Sequence, residues 1–121
     1  MRQAPEERVR QRVLALMIEK LGYPKALLSV EKEIASLRRV DILCSLPWGE
    51  GLKALLLVEC KAEILDLLAE RQAFGYNRSV GAPFITLASQ TQIKTLWMEQ
   101  GRIVSVPFIP SFAELKKYGT S

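Results

Sequence analysis

The stretch Ala54-Leu55-Leu56-Leu57-Val58 contains no polar side chain and stops at Glu59-Cys60-Lys61. An apolar run with no side left for water predicts a strand buried on both faces. Strand side chains alternate, so Glu59 and Lys61 leave the same face. A carboxylate and an ammonium emerging together from a buried strand cost free energy unless they pair or bind something. That cost marks them as candidates for a site.

The chain of 121 residues is expected to form one domain, 1–121. No apolar run approaches the roughly 18 residues of a membrane span. Met1 to Arg8 lacks an apolar signal core, so a cytoplasmic protein without a membrane partner is expected. A net charge of +4 permits a nucleic-acid partner and equally suits a solubilising surface. The absence of histidine excludes Ser/His/Asp triads, Cys/His nucleophile pairs, imidazole zinc sites and histidine-based nucleases. Cys44 and Cys60 are too few for a disulfide framework or a zinc site. Both are expected to be buried small apolar residues.

Glu6 to Leu21 predicts a helix, with Val9, Val13, Leu16, Met17 and Leu21 at helical spacing and Gly22 as its stop. Leu27 to Ile34, Arg39 to Leu46 and Lys53 to Lys61 predict strands. Pro47-Trp48-Gly49-Glu50-Gly51 joins the last two as a five- or six-residue hairpin loop. Asp66 to Val80 predicts a second helix with Asp66 as N-cap and Gly81-Ala82-Pro83 as its stop. Phe84 to Ala88 then returns as a strand, which suggests a parallel crossover. Ile93 to Met98 and Arg102 to Phe108 form a second hairpin, and Ser111 to Tyr118 a closing helix. The order predicts an α/β (α+β) fold, a mixed sheet flanked by helices.

A hairpin loop symmetric about Glu50 would set residues whose numbers sum to 100 opposite each other. Asp41 then faces Glu59, and Arg39 faces Lys61. Two carboxylates facing each other on central strands need a cation between them, or one must hold a proton. Oxygen ligands without histidine favour a hard ion, Mg2+ or Mn2+, with the Cys60 carbonyl as a third ligand. Lys61 beside that ion would orient or deprotonate water, or neutralise charge on a phosphate. These parts describe metal-assisted phosphodiester hydrolysis.

Asp41 followed by Glu59-Cys60-Lys61, with an acid on the first helix, resembles the PD-(D/E)XK nuclease pattern. More closely, the chain resembles the N-terminal nuclease domain of type I restriction enzyme R subunits. The matching stretches are Pro5 to Gln11, Gly22 to Lys25, Val30 to Glu33, Arg39 to Ile42, Leu57 to Ala62 and Arg71 to Asn77, within roughly residues 5 to 90. The resemblance implies a restriction-endonuclease-like core and a DNA endonuclease. It makes Asp41 and Glu59 metal ligands and Lys61 the catalytic lysine. Gln72 and Tyr76, on one helix face at i,i+4 spacing, would contact the attacking water or the DNA backbone. A first-helix glutamate, Glu7 or else Glu6, would complete the site. DNA is the implied partner, with separate motor or modification subunits, and a homodimer is an expectation by analogy alone.

The match has departures. Val40 replaces the motif's proline, Thr86-Leu87-Ala88-Ser89 replaces a threonine-asparagine-glycine turn, and the last thirty residues match poorly. No helicase or translocase segment follows in the sequence, so a stand-alone domain is expected. Blander readings stand beside the functional ones. Glu59 and Lys61 taken alone suit an ion pair, and Glu6 and Glu7 suit the helix dipole. Arg39, Arg71 and Arg78, with Arg38 and Lys94, are candidate phosphate contacts, though each alone suits a solvated surface charge. Trp48 is expected to cover the core edge rather than touch nucleic acid. The alternative to the enzyme is a non-catalytic DNA- or protein-binding module on the same fold.

Overall fold

The computed structural model describes residues 5–34, 38–62 and 66–119. Helix α1 (Pro5–Glu19) is followed by strands β1 (Leu28–Ile34), β2 (Arg38–Trp48) and β3 (Gly51–Cys60). Helix α2 (Leu67–Val80), strands β4 (Phe84–Ala88), β5 (Ile93–Glu99) and β6 (Arg102–Val106), and helix α3 (Phe112–Gly119) complete the order. The six strands lie in sequence order in one sheet. Only the β3–β4 pair is parallel among the described ladders; the others are antiparallel. The crossover expected from strand-helix-strand is therefore present, with α2 carrying it.

The helices divide between the two faces of the sheet. Val9, Val13 and Met17 of α1 and Leu115 of α3 pack on Ile42, Cys44, Leu56, Val58 and Cys60. Ala73 of α2 packs on the other set, Leu43, Leu57, Ile85, Leu87 and Leu96. Burial on both faces explains why β3 has no polar residue between Ala54 and Val58. Cys44 and Cys60 are free and buried, as expected. Burial pushes the Cys44 thiol up to about 12 and the Cys60 thiol upward too, with the Asp41 and Glu59 charges adding to it.

The β2–β3 hairpin differs from the expected symmetric loop. Trp48 pairs with Gly51, so the turn is only Gly49-Glu50. Gly49 has φ 59 while Glu50 has no positive φ. A positive φ at the first central residue alone is the type II′ pattern, which suits the twist of two-residue hairpins. From the turn to Ser45↔Ala54, paired numbers sum to 99. The register then shifts at Cys44/Ser45, and Cys44↔Leu56, Leu43↔Leu57 and Ile42↔Val58 sum to 100. The extra residue is Leu55, and it and Leu56 pack into the same core cluster, the signature of a bulge that breaks alternation. The expected register therefore holds at the root of the hairpin because a bulge adds back the residue that the shorter turn removes. Arg39 does not face Lys61: it pairs with Glu33 of β1, and Lys61 lies beyond β3.

Other limits move slightly. α1 stops at Glu19 instead of Leu21, and Gly22, at φ 76, turns the chain. Lys25–Leu27 is a short 3-10 turn leading into β1. β6 ends at Val106 rather than Phe108, just before Pro107. Trp48 does not cover the core edge; it is exposed, with the Lys53 ammonium 4.3 Å from its ring centroid.

Candidate active site

β3 ends on the two residues that its apolar run cannot hide. Glu59 is level with Leu87 of β4, and the Lys61 N–H donates to the Ala88 carbonyl at 2.7 Å, which fixes the lysine backbone one step past the strand. On the other side the β2 ladder reaches Ile42↔Val58, and at the next level Asp41 turns its carboxylate toward β3. Asp41 Oδ2 accepts from the Cys60 N–H at 2.8 Å. A side-chain oxygen thereby takes a strand donor, and the carboxylate is fixed by the backbone beside Glu59.

α2 closes the third side. Asp66 caps it, with Oδ1 accepting from the Ala69 N–H at 2.9 Å, and Gly81 at φ 73 terminates it. This cap sets the helix so that Gln72 Oε1 accepts from Lys61 Nζ at 3.2 Å. Tyr76 follows one turn later on the same face and is half-buried. Arg39, Arg71 and Arg78 are exposed, whereas Lys94 lies 3.5 Å from Glu70 of α2. The side chain of Arg38 lies outside the described residues.

Of the two first-helix acids, Glu6 lines a cleft of about 260 Å³ together with Lys61, Ala62, Asp66, Leu68 and Gln72. Glu7 lies 3.5 Å from Arg10 in an i,i+3 ion pair. A hollow of about 390 Å³ lies elsewhere, lined by Thr91 to Lys94 and Ser105 to Pro107. It has no carboxylate, so size alone does not pick out the chemistry.

The electrostatics at the root of the hairpin are severe. Glu59 is 5% exposed, and its Oε1 is buried without a hydrogen-bond partner. Burial first, then the Asp41 charge and more weakly Glu6, push its carboxyl up to about 7, against the pull of Lys61. Asp41 is also raised by burial, opposed by the Cys60 N–H, Arg10 and Lys61. A buried carboxylate oxygen with no donor, beside a second carboxylate, fits a hard cation by donor chemistry. Asp41, Glu59 and the Cys60 carbonyl are the groups that would hold it. Among the described residues, no three His, Cys, Asp or Glu side chains gather as a ligand set.

Arg10 and Glu31 were not singled out by sequence reasoning. Arg10 Nη1 donates to Glu31 Oε1 at 3.0 Å and lies 4.0 Å from Asp41 Oδ1. Both lie in stretches that match the family, Pro5 to Gln11 and Val30 to Glu33, and Arg10 also stands three residues after Glu7, but no motif gives either a role.

A mixed sheet covered by helices on both faces, with Asp41 of β2 beside Glu59 and Lys61 at the end of β3, defines an α+β protein with an acid pair and a lysine at one edge of its hairpin. The model of the family described as Type I restriction enzyme R protein N terminus (HSDR_N) matches residues 5–110, and the chain belongs to that family. The match reaches about twenty residues beyond the stretch legible in the motifs and takes in β5 and β6. Among solved structures, the chain is similar to a fragment described as an HsdR subunit of a type I restriction enzyme from Vibrio vulnificus YJ016. The TM-score is 0.61 at 18% identity, over 89% of this chain and 24% of that one. That likeness concerns the fold, and the chain spans about a quarter of the other's length. No curated protein matches. No helix among the described residues is long and apolar enough to cross a membrane.

Proposed function

We propose that this chain is a divalent-cation-dependent DNA endonuclease that hydrolyses phosphodiester bonds in the cytoplasm. The observation that carries the proposal is the buried, unpartnered Oε1 of Glu59 beside Asp41, with Lys61 held next to them by Gln72. Membership of the R-subunit N-terminal family supports the same reading. A bound Mg2+ or Mn2+ would supply Lewis-acid activation of water and charge neutralisation at the phosphate. Asp41 and Glu59, with the Cys60 carbonyl, would hold the cation, and Glu6, which lines one cleft with Lys61 and Gln72, is the first-helix acid on that side. Lys61 Nζ donates toward the phosphate or the attacking water, with Gln72 Oε1 fixing its direction. Tyr76 extends this face, and Arg39, Arg71 and Arg78 contact the DNA backbone. Separate motor or modification subunits, and a second copy to cut both strands, are proposed partners.

The test is nicking of supercoiled and linear DNA with Mg2+ or Mn2+ by the purified chain and by its Asp41→Asn and Lys61→Ala variants. Metal-dependent cutting that both variants lose supports the enzyme; cutting unchanged in both sinks it. A binding module on the same fold is the second reading, favoured by the exposed Arg39, Arg71 and Arg78. Tight DNA binding with no turnover across metals and substrates would select it.

A further inference from the structure

Glu31 has φ 52, a left-handed conformation that non-glycine residues in strands rarely adopt. It lies between the pairs Val30↔Ile42 and Lys32↔Val40, level with Asp41 on the neighbouring strand. Such an outlier persists only where surrounding contacts hold it, and such outliers cluster at functional sites. The Glu31 side chain is 49% exposed and pairs with Arg10, whose side chain is 14% exposed. Arg10 Nη1 is 3.0 Å from Glu31 and 4.0 Å from Asp41 Oδ1, and Nη2 is 3.5 Å from Glu7. The guanidinium stands between carboxylates and sits closer to Glu31 than to Asp41. Asp41 Oδ2 is already committed to the Cys60 N–H, so Oδ1 is the oxygen for which Arg10 and a cation compete.

We infer that Glu31 is a positioning residue: its strained backbone draws Arg10 off Asp41 and leaves Asp41 Oδ1 open to a divalent cation. The inference rests on the cation reading of Asp41 and Glu59 proposed above. Two carboxylates compete with Asp41 for the guanidinium, Glu7 at Nη2 and Glu31 at Nη1, and only Glu31 takes the same nitrogen that faces Asp41 Oδ1. Without Glu31, the guanidinium would close on Asp41 in a charge-assisted bond and occupy the oxygen with a monovalent group. A merely structural Arg10–Glu31 pair would tie α1 to β1, with no bearing on cation affinity.

Calorimetric titration of the full chain with Mn2+, without DNA, separates these roles. Glu31→Gln and Glu31→Gly are expected to weaken Mn2+ binding about tenfold, the size expected when a charge pair closes from about 4 to about 3 Å at an effective dielectric near 20. Glu31→Gly also relieves the positive φ, so its melting temperature should hold or rise, which keeps a folding defect out of the result. Arg10→Met combined with Glu31→Gln should restore wild-type affinity, because the competitor is gone. Unchanged affinity in both Glu31 variants, or a double variant as weak as Glu31→Gln, overturns the inference. If Asp41→Asn abolishes Mn2+ binding while the Glu31 variants leave it intact, only the inference fails. A wild-type chain that binds no Mn2+, or an Asp41→Asn variant that binds it equally well, overturns the cation reading and the inference together.

Discussion

Two polar spots are buried in the same sheet one residue apart along its strands, and they are built in opposite ways. Thr86 of β4 and Thr95 of β5 face each other, fully buried, with their hydroxyls 2.7 Å apart. Glu59 of β3 is nearly as buried, yet one of its oxygens has no partner and its neighbour Asp41 is another acid. The threonine pair is satisfied inside the protein and asks nothing of a ligand. The acid pair is satisfied only by a proton or by something from outside. Burial of polar atoms does not by itself mark a site; burial without a partner does.

The sharpest way to break this contrast is at the acid end. Lys61→Ala and Asp41→Asn should each reduce metal-dependent DNA cleavage by roughly 100-fold or more, measured as initial nicking rates. Because Lys61 lies beyond the strand, its loss should shift stability by no more than about 0.5 kcal/mol.

Next in size is the pH response of the metal-free chain. The Glu59 carboxyl is raised from 4.5 to about 7 in the folded protein. The folded state therefore binds the proton more tightly than the unfolded one. The stability this contributes is full below about 4.5 and lost as pH rises through about 7, a fall on the order of 3 kcal/mol. Denaturant melts of wild type and Glu59→Gln across that window check it: the variant should lose this slope and be the more stable chain at pH 8. Mn2+ affinity should rise over the same range as the proton leaves. A wild-type profile as flat as the variant's would mean that Glu59 is not buried in the way described.

The threonine pair predicts a smaller effect with a different form. Thr86→Val alone should cost about 1–3 kcal/mol by leaving the Thr95 hydroxyl unpaired, whereas Thr86→Val with Thr95→Val should be close to neutral. Chemical denaturation of the three variants decides it, and cleavage rates should not follow stability. The smallest effect belongs to the hairpin tip: Trp48→Ala should change stability by about 0.5 kcal/mol or less and leave cleavage unaltered, since Trp48 is exposed and lies at the opposite end of β2 from Asp41.

Much of this is legible in the sequence. α2 carries its own boundaries, Asp66 at one end and Gly81 at the other, because caps are local hydrogen-bond and φ requirements. β4 is an unbroken apolar stretch after a helix stop, and it pairs parallel to β3. Asp41 and Glu59 at one level were also readable, though for an incomplete reason. The symmetric loop was wrong, and the Leu55 bulge restored the sum. No sequence rule announces a bulge within a run of leucines, where every residue suits either face.

The sequence by itself determined the elements, the buried β3 and the acids and lysine at its end, because these follow from local hydrogen bonding and the cost of wetting apolar residues. Only the tertiary structure decided which groups are left without partners. It gave Cys60 N–H to Asp41, Gln72 to Lys61, and Arg10 to Glu31 ahead of Asp41. Those assignments depend on ångström-scale positions of strands and helices far apart in the chain, which residue type and spacing do not encode one position at a time.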